Sequence, residues 1–462
     1  MDRALSPTEV LTQLWDDAGA DPSALEHIAL DGHDPYLPST FRVGTIALAS
    51  IGAAALAASE IWRLRSGQTQ TVAVDIRAAC ATFRSERYLT VNDKGLGLWD
   101  PIAGFYETAD GRWIQLHTNF PHHRAGVVKL LGCGDNREAV ADAIRERDAL
   151  ELEQALIDAA LCAAAIRTPA EWAEHPQAHA IAAEPLIKTS HFAGSRPEPL
   201  PKGSRPLDGV KVLDLSRIIA GPVAGRTLAE HGATVLRVDA EHLPNVHSLT
   251  IDTGRGKRST FLDLRTDEGR GTFKRLVRDA DVVLQAYRPG ALDRLGLSKE
   301  VLSEARPGLI HLSLNAFGFS GPWASRRGYD SLVQSTTGIA VQETLAANAS
   351  SPRHLPAQAL DHATGFLAAF AIMNALRDRA QRGGTTHIDV ALANTGRWLS
   401  SLGPVDGIEC ADLNRQDIAD LLTESQSDFG RLSYLTPAAK LSMTPGGWST
   451  PPPALGAHRA VW

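Results

Sequence analysis

Short apolar runs alternate with longer amphipathic stretches along residues 207–400. Five runs have the length of buried strands, at residues 210–215, 232–239, 259–264, 281–285 and 309–314. Helix-like stretches lie between them, one reaching His231 and another covering residues 266–279. This alternation predicts βαβ units, and therefore an α/β fold with a Rossmann-like, mostly parallel sheet and flanking helices. Ligands of such sheets bind beyond the carboxyl ends of the strands.

The remaining sequence suggests a division into further segments. Residues 104–116 indicate a β-hairpin with Ala109-Asp110-Gly111 at its turn, and two helical segments follow, which predicts a small α+β domain over residues 100–189. Glycine and proline are dense over residues 190–206 and predict a linker. The other predicted segments are 1–99, the lobe 207–400 and a closing segment 401–462.

Part of the sequence is repeated. Residues 63–74 resemble residues 379–390 at a constant offset of 316 positions, and both follow an alanine-rich apolar stretch. On this register Asp361 stands opposite Thr45. Residues 1–99 are therefore predicted to be a partial first copy that lacks the carboxylate of the second.

The uncharged stretch Val43–Ser59 allows two interpretations. Its 17 residues are at the short end of what spans a bilayer. They are rich in alanine, glycine and serine, which are weakly hydrophobic, and they belong to the repeat. A buried helix is therefore expected in preference to a membrane span.

Charge and cysteine content exclude several classes of function. The formal net charge of −7 is unfavourable for binding nucleic acid, so an anionic ligand needs a local cluster of basic residues. The four cysteines form no CxxC pair or Cys/His cluster, which argues against a metal site and a disulfide framework. Residues 1–7 show no signal peptide, and we expect a cytoplasmic protein.

Three loops of the second half could bind an anionic ligand. Ala220-Gly221-Pro222 follows the first predicted strand, where glycine allows a ligand to approach the backbone. The segment 287–294 carries Arg288 and Arg294, whose guanidinium groups suit phosphate, although surface arginines that solubilise a loop would look the same. Residues 316–330 form a shaped loop rich in glycine and proline after another predicted strand.

Asp361 opens a long alanine-rich helix and is the candidate catalytic residue. An aspartate at this position is first of all a good N-cap. The helix dipole and free N–H groups would also hold its carboxylate ionised, and an ionised carboxylate can attack a thioester. Both interpretations fit the residue alone.

Taken together, these motifs resemble the class III CoA-transferase family, which includes formyl-CoA and carnitine CoA-transferases and belongs to a superfamily with α-methylacyl-CoA racemase. The resemblance begins at residues 206–216 and continues through 256–259, 262–264 and 288–294 to the Asp361 helix. It resumes at 441–445 and 454–458. Residues 39–185 resemble the later part of the family sequence, so the order is that of a rearranged tandem.

The resemblance implies a fold, an activity and a site. Asp361 would carry the acyl group as an acyl-aspartyl anhydride while CoA moves from an acyl-CoA donor to a carboxylic acid. Coenzyme A and acyl-CoA would be substrates, with no permanently bound cofactor and no metal. Family members are homodimers of interlinked rings, which implies a homodimer, and residues 100–185 would supply the small domain from the same or a partner chain. The implied CoA contacts are Ile219, Ala220, Leu262, Asp263, Arg265, Ala286, Tyr287, Arg288, Arg294, Arg326, Arg327 and Tyr329.

The sequence also departs from the family pattern and leaves two alternatives open. Formyl-CoA transferases have a glutamine where this chain has Ile219, and the glycine-rich loop expected beyond the catalytic helix is not apparent. Racemases carry Gly-His-Asp where this chain has Gly328-Tyr329-Asp330, and tyrosine is a poor base at neutral pH. A CoA-transferase is therefore expected over a racemase or isomerase. A non-catalytic CoA-binding subunit is the other alternative.

Overall fold

The computed structural model describes residues 5–462. Part of the signal-peptide expectation rests on the first four residues, which lie outside the described residues. The α-helices of this part of the chain are α1 Pro7–Asp17, α2 Val43–Ser66, α3 Ile76–Thr82, α4 Ser85–Tyr88, α5 Pro121–Leu131, α6 Arg137–Ile144, α7 Ala149–Asp158, α8 Pro169–Ala173, α9 Pro176–Ala182, α10 Ala220–Glu230, α11 His247–Thr253, α12 Asp267–Arg278, α13 Lys299–Ala305, α14 Asp330–Thr336, α15 Ile339–Ala346, α16 Ala359–Arg382 and α17 Leu392–Ser401. The strands are β1 Ile28–Asp31, β2 Val72–Asp75, β3 Thr90–Val91, β4 Lys94–Gly95, β5 Gly104–Glu107, β6 Trp113–Leu116, β7 Ala163–Ala165, β8 Ile187–Phe192, β9 Lys211–Leu215, β10 Thr234–Asp239, β11 Lys257–Phe261, β12 Val282–Gln285, β13 Ile310–Asn315, β14 Thr385–Ala391, β15 Leu422–Ser427, β16 Gly430–Leu435 and β17 Ala439–Leu441.

A seven-stranded sheet forms the centre of the second half. Its order is β11-β10-β9-β12-β13-β14-β8, and all neighbours are parallel except β8, which runs antiparallel to β14. The predicted α/β fold is confirmed, and each of the five predicted strands is present. The core of β9 and β12 is fully buried, as expected where helices cover both faces of a parallel sheet.

The segment expected to be a linker begins as part of this sheet. Residues 190–192 are the end of strand β8, and His191 pairs with Thr386 of β14. The side chains of β8 are half-buried or exposed, which is typical of an edge strand and explains why no apolar run marked it. Regular structure is absent from residues 193–206.

The sequence repeat corresponds to a structural repeat. Helices α2 and α16 are both 24 residues long and begin 316 positions apart, at Val43 and Ala359. Each leads into a strand, β2 or β14, and then a helix, α3 or α17. Strand β2 lies between parallel β1 and antiparallel β17, just as β14 lies between parallel β13 and antiparallel β8. The first copy therefore contains only the last part of the lobe.

Helices α2 and α16 pack against each other at the middle of the protein. By length and apolar character either helix could cross a membrane, yet the apolar window of each is wholly buried inside the protein. Small residues of α2 permit close packing, and Trp15 of α1 contacts Phe370 of α16 with ring centres 5.7 Å apart. These contacts fit the expected buried helix.

Residues 100–182 have a separate apolar core. The predicted hairpin is present as β5 and β6, and β7 joins it to form an antiparallel three-stranded sheet. Ile102, Ile114, Val127 and Leu152 are fully buried between this sheet and helices α5–α7. This unit docks on the lobe of its own chain, where Gln115 donates a hydrogen bond to Ser331 over 2.9 Å.

Candidate functional site

A cleft opens at the carboxyl ends of β9, β12 and β13. The chain runs from β9 to β10 and β11 on one side of the sheet and places β12 and β13 on the other, so β9 and β12 flank a topological switch point. The cleft has a volume of about 380 Å³ and is walled by the loops after these strands and by α5 of the small domain. Asp361 lies among its lining residues.

Asp361 is held by the starts of two neighbouring helices, α14 and α10. It is the third residue of α16, and its backbone N–H donates to Asp330 Oδ2 over 2.8 Å. The backbone of Ala220, at the start of α10, hydrogen-bonds its carboxyl group. The N-cap position is Gln358, which makes no side-chain capping bond, so the N-cap interpretation of Asp361 is wrong.

The electrostatic surroundings of Asp361 also differ from expectation. Burial raises the pKa of this carboxyl well above its ordinary value, and the negative charges of Asp330 and Glu86 raise it further. Burial likewise raises the pKa of Asp330. The helix start was expected to hold Asp361 ionised, but desolvation and two neighbouring carboxyl groups outweigh the dipole. The expected direction of the pKa shift was therefore wrong.

Three arginines give the cleft a positive field. Arg217, Arg288 and Arg327 line it, and among residues 5–462 none of them has a carboxylate within 4.0 Å. Arg217 and Arg327 instead donate to the carbonyls of Pro244 and Ala160. Burial lowers the pKa of Arg288, and the nearby charges of Arg327 and Arg294 lower it further. Unpaired guanidinium groups that repel one another are typical of an anion site.

The structure brings together eight of the thirteen residues singled out from the sequence. The cleft is lined by Ala220, Ala286, Tyr287, Arg288, Arg326, Arg327, Tyr329 and Asp361. Five others lie outside this lining: Ile219, Leu262, Asp263, Arg265 and Arg294.

The five outlying residues have other surroundings. Ile219 is buried at the N-cap of α10. Arg265 and Asp263 form an exposed ion pair at 2.7 Å, and half-buried Leu262 packs beside the core cluster below the sheet. Arg294 stays close enough to Arg288 to affect its pKa. The side chains of these five residues are therefore not part of the cleft lining.

Arg326 lines the cleft but already has a partner. Its guanidinium donates to Glu153 of the small domain over 2.8 Å and lies 3.9 Å from the ring centre of Trp323. Arg167 donates to the same carboxylate. These contacts hold the small domain against the cleft wall. Arg326 therefore has a structural role that the sequence motif did not indicate.

Sequence reasoning missed several lining residues. Arg217 and Ile218 lie two and three positions beyond β9, a location that could have marked them. Ile218 has a φ of +77°, a left-handed conformation that is strained for a β-branched residue and often found at functional sites. His122 and His123 come from the small domain, about 240 positions before Asp361, and no local motif connects them to it.

Comparisons with known proteins identify one family. A model of CoA-transferase family III matches residues 22–196 and 207–411. An acetyl-coenzyme A transferase of Hypoxylon pulicicidum is 30% identical over 361 residues, which cover 73% of this chain and 60% of the relative. A succinate–glutarate CoA-transferase of Agrobacterium fabrum is 36% identical over 42% of this chain and 52% of the relative.

One solved structure that is similar is a CAIB/BAIF family protein from Brucella suis. It is 36% identical, with a TM-score of 0.37 over 42% of this chain and 55% of that protein. The chain spans between half and three fifths of the length of the relatives named here.

Proposed function

Since this chain belongs to CoA-transferase family III, we propose that it transfers coenzyme A from an acyl-CoA donor to a carboxylic acid through an acyl-aspartyl anhydride on Asp361. The observation that carries the proposal is the position of Asp361, a buried carboxyl group in a cleft with three arginines that have no acidic partner among residues 5–462. Coenzyme A offers the matching chemistry, because its phosphates can bind guanidinium groups while its thioester reaches a carboxylate.

The proposed reaction balances without a cofactor. An oxygen of Asp361 attacks the thioester carbonyl, a C–O bond forms, and the C–S bond breaks to release CoA thiolate. The thiolate attacks the aspartyl carbonyl of the anhydride, and the first carboxylic acid leaves. The acceptor carboxylate then attacks the aspartyl thioester, which forms a second anhydride and expels CoA thiolate. This thiolate attacks the acyl carbonyl of the second anhydride, and the Asp361 carboxylate leaves. These steps yield the new acyl-CoA and restore Asp361.

Residues around Asp361 would assist two of these steps. The N–H of Ala220 already hydrogen-bonds the aspartyl carboxyl group and would donate to the oxyanion that forms there. The small domain covers the cleft with Phe120 and His123, and Asp361 itself is only 6% exposed. Exclusion of water matters because a mixed anhydride hydrolyses readily.

The residues carried over from the family have defined roles in this proposal. Arg288 and Arg327 would bind CoA phosphates, and Arg217 joins them on the evidence of its position in the cleft. Loop residues Ala286 and Tyr287 would line the CoA path. The homodimer and the cytoplasmic location stay predictions, as does the division into segments.

The racemase alternative is not favoured. A racemase needs a second base beside the reacting α-carbon, and Tyr329 stands where racemases carry histidine. Burial raises the pKa of Tyr329 far above its ordinary value, so its phenol stays protonated at neutral pH. The neighbouring His117 stacks on the Tyr329 ring with ring centres 3.9 Å apart.

Trapping of the intermediate tests the proposal. The protein is incubated with a panel of acyl-CoAs, quenched with hydroxylamine and digested, and the modified peptide is located by mass spectrometry. We expect a hydroxamate on Asp361 that is lost in Asp361→Asn and retained in Asp142→Asn, a control at an exposed aspartate of α6. CoA binding without any hydroxamate would support the non-catalytic subunit instead. Entry of solvent deuterium at the α-carbon would support the racemase.

A further inference from the structure

The first half of the chain reaches the surroundings of Asp361 through the short helix α4. Oε2 of Glu86 lies 3.1 Å from Nε2 of His362, the residue after Asp361. Both side chains are almost wholly buried, at 4% and 1% exposure. The ring of Phe83 stacks on the His362 imidazole with ring centres 5.6 Å apart. A residue of the first copy therefore contacts the start of the helix that carries the candidate nucleophile.

Helix α4 is fixed to the lobe by buried polar contacts. The hydroxyl of Ser85 donates to Asp252 Oδ2 over 2.7 Å, and Arg226 donates to the same oxygen over 2.8 Å. Arg255 donates to the other oxygen of Asp252, also over 2.8 Å. Because these groups come from α10, α11 and the following turn, Glu86 has little freedom to move away from His362.

Packing alone does not explain a carboxylate at this position. Buried ion pairs add little stability, and apolar side chains often replace them without loss. On the 316-position register the second copy has Leu402 where the first has Glu86, and Leu402 is buried as well. The repeat therefore has an apolar residue at the equivalent sequence position.

We infer that Glu86 is a positioning residue for acyl transfer at Asp361: its carboxylate holds His362 and so fixes the start of the helix from which Asp361 attacks. The inference rests on the proposed function. It assigns to the partial first copy a part in the reaction of the second.

The electrostatics of the site support this role. Burial raises the pKa of Asp361 most, and the charges of Asp330 and then Glu86 raise it further. A positive charge on His362 lowers the pKa of both Asp330 and Asp252. The titratable groups that interact electrostatically with Asp361 or His362 are Glu86 of α4, Asp252 of α11, Tyr329 just before α14 and Asp330 at its start.

Hydroxamate formation at Asp361, followed against pH, tests the inference. Only the ionised carboxylate attacks, so the rate falls as pH decreases through the pKa of Asp361. Glu86→Gln removes one nearby negative charge and should move the midpoint of this acidic limb to lower pH. Glu86→Asp keeps the charge but not the reach to His362, so we expect a native midpoint with a reduced rate. Glu60→Gln, which alters a buried glutamate paired with Arg63, is the matched control and should change neither.

The possible results separate the inference from the proposed function. If no hydroxamate forms in the wild-type protein at any pH, the proposed function itself is contradicted. A hydroxamate on Asp361 whose midpoint is unmoved in Glu86→Gln would overturn the role of the Glu86 charge. If Glu86→Gln does not fold, Glu86→Asp decides, because a native rate in that variant would overturn the positioning role.

Discussion

Replacement of Glu153 by glutamine should release the small domain from the cleft wall. The Glu153 carboxylate lies between Arg167 and Arg326, and the three side chains are between 4% and 8% exposed. Burial alone would raise the pKa of Glu153, but the hydrogen bond of Arg167 and the charges of both arginines lower it below its ordinary value. The ionised carboxylate is therefore the state that these two guanidinium groups stabilise.

Glutamine has nearly the same size but carries no charge. Two buried guanidinium groups would then face each other without the carboxylate, and removal of one partner of a buried ion pair costs about 3–5 kcal/mol. The N–H of Ala165 in β7 donates to Glu153 Oε1 over 2.9 Å, so its exchange with solvent reports on this junction. A tenfold change in exchange rate corresponds to about 1.4 kcal/mol, so this loss of stability should speed exchange of the Ala165 amide by roughly a hundredfold or more.

Hydrogen exchange of the peptides that contain β7, read by mass spectrometry, measures this effect. Glu171→Gln is the matched control in the same domain, since its pair with Arg112 is partly exposed at 41% and 29%. An exposed pair contributes about 1 kcal/mol or less, so the control should speed exchange by no more than about fivefold. Equal exchange rates in the two variants would refute the claim that Glu153 holds the small domain against the cleft wall.

Three further substitutions test other parts of the structure. Burial raises the pKa of Glu230 from 4.5 to about 7, so the folded state holds an extra proton between these values and wild-type stability falls as pH rises through them. Between pH 4 and pH 8, the free energy of unfolding of Glu230→Gln, measured by urea titration, should rise by roughly 3 kcal/mol relative to that of the wild type. A difference between the two proteins that does not change with pH would contradict this. Ile218→Gly should be about 1 kcal/mol more stable than Ile218→Ala because of the φ of +77°, and the reverse order in denaturation would contradict the strain. Thr45→Asp places a carboxylate beside Asp34, whose Oδ2 accepts the Thr45 N–H over 2.7 Å, in a site 1% exposed. It should destabilise by about 3 kcal/mol or more without forming a hydroxamate, whereas Thr45→Ser should melt like the wild type.

The parallel sheet could be predicted because its strands are local in sequence. Strands β9, β12 and β13 are short and mainly apolar runs. Because both faces of such strands are buried, their sequences show no alternation of polar and apolar residues. The repeat was also visible, since α2 and α16 keep the same length and spacing. Edge strand β8 was harder to predict, because a half-exposed strand needs no apolar run.

The site was predictable only where single motifs form it. Asp361, Arg288 and Arg327 follow strands or begin a helix, and such positions meet at one end of a parallel sheet. Glu86 lies 276 positions from His362 in sequence, so no local pattern connects them. The direction of the Asp361 pKa shift depends on burial and then on the charges of Asp330 and Glu86, and helix position alone therefore gave the wrong sign.

Transfer of oxygen into Asp361 tests the central claim most directly. In the proposed reaction the acceptor carboxylate supplies the bridging oxygen of the second anhydride, and attack of thiolate on the acyl carbonyl leaves that oxygen on the aspartate. The protein is turned over with an acyl-CoA and a carboxylic acid labelled with ¹⁸O in water of natural composition, and the peptide that contains Asp361 is weighed. The account predicts that one oxygen of Asp361 is replaced by ¹⁸O in each turnover. Formation of the new acyl-CoA with no heavy oxygen in Asp361 would contradict it.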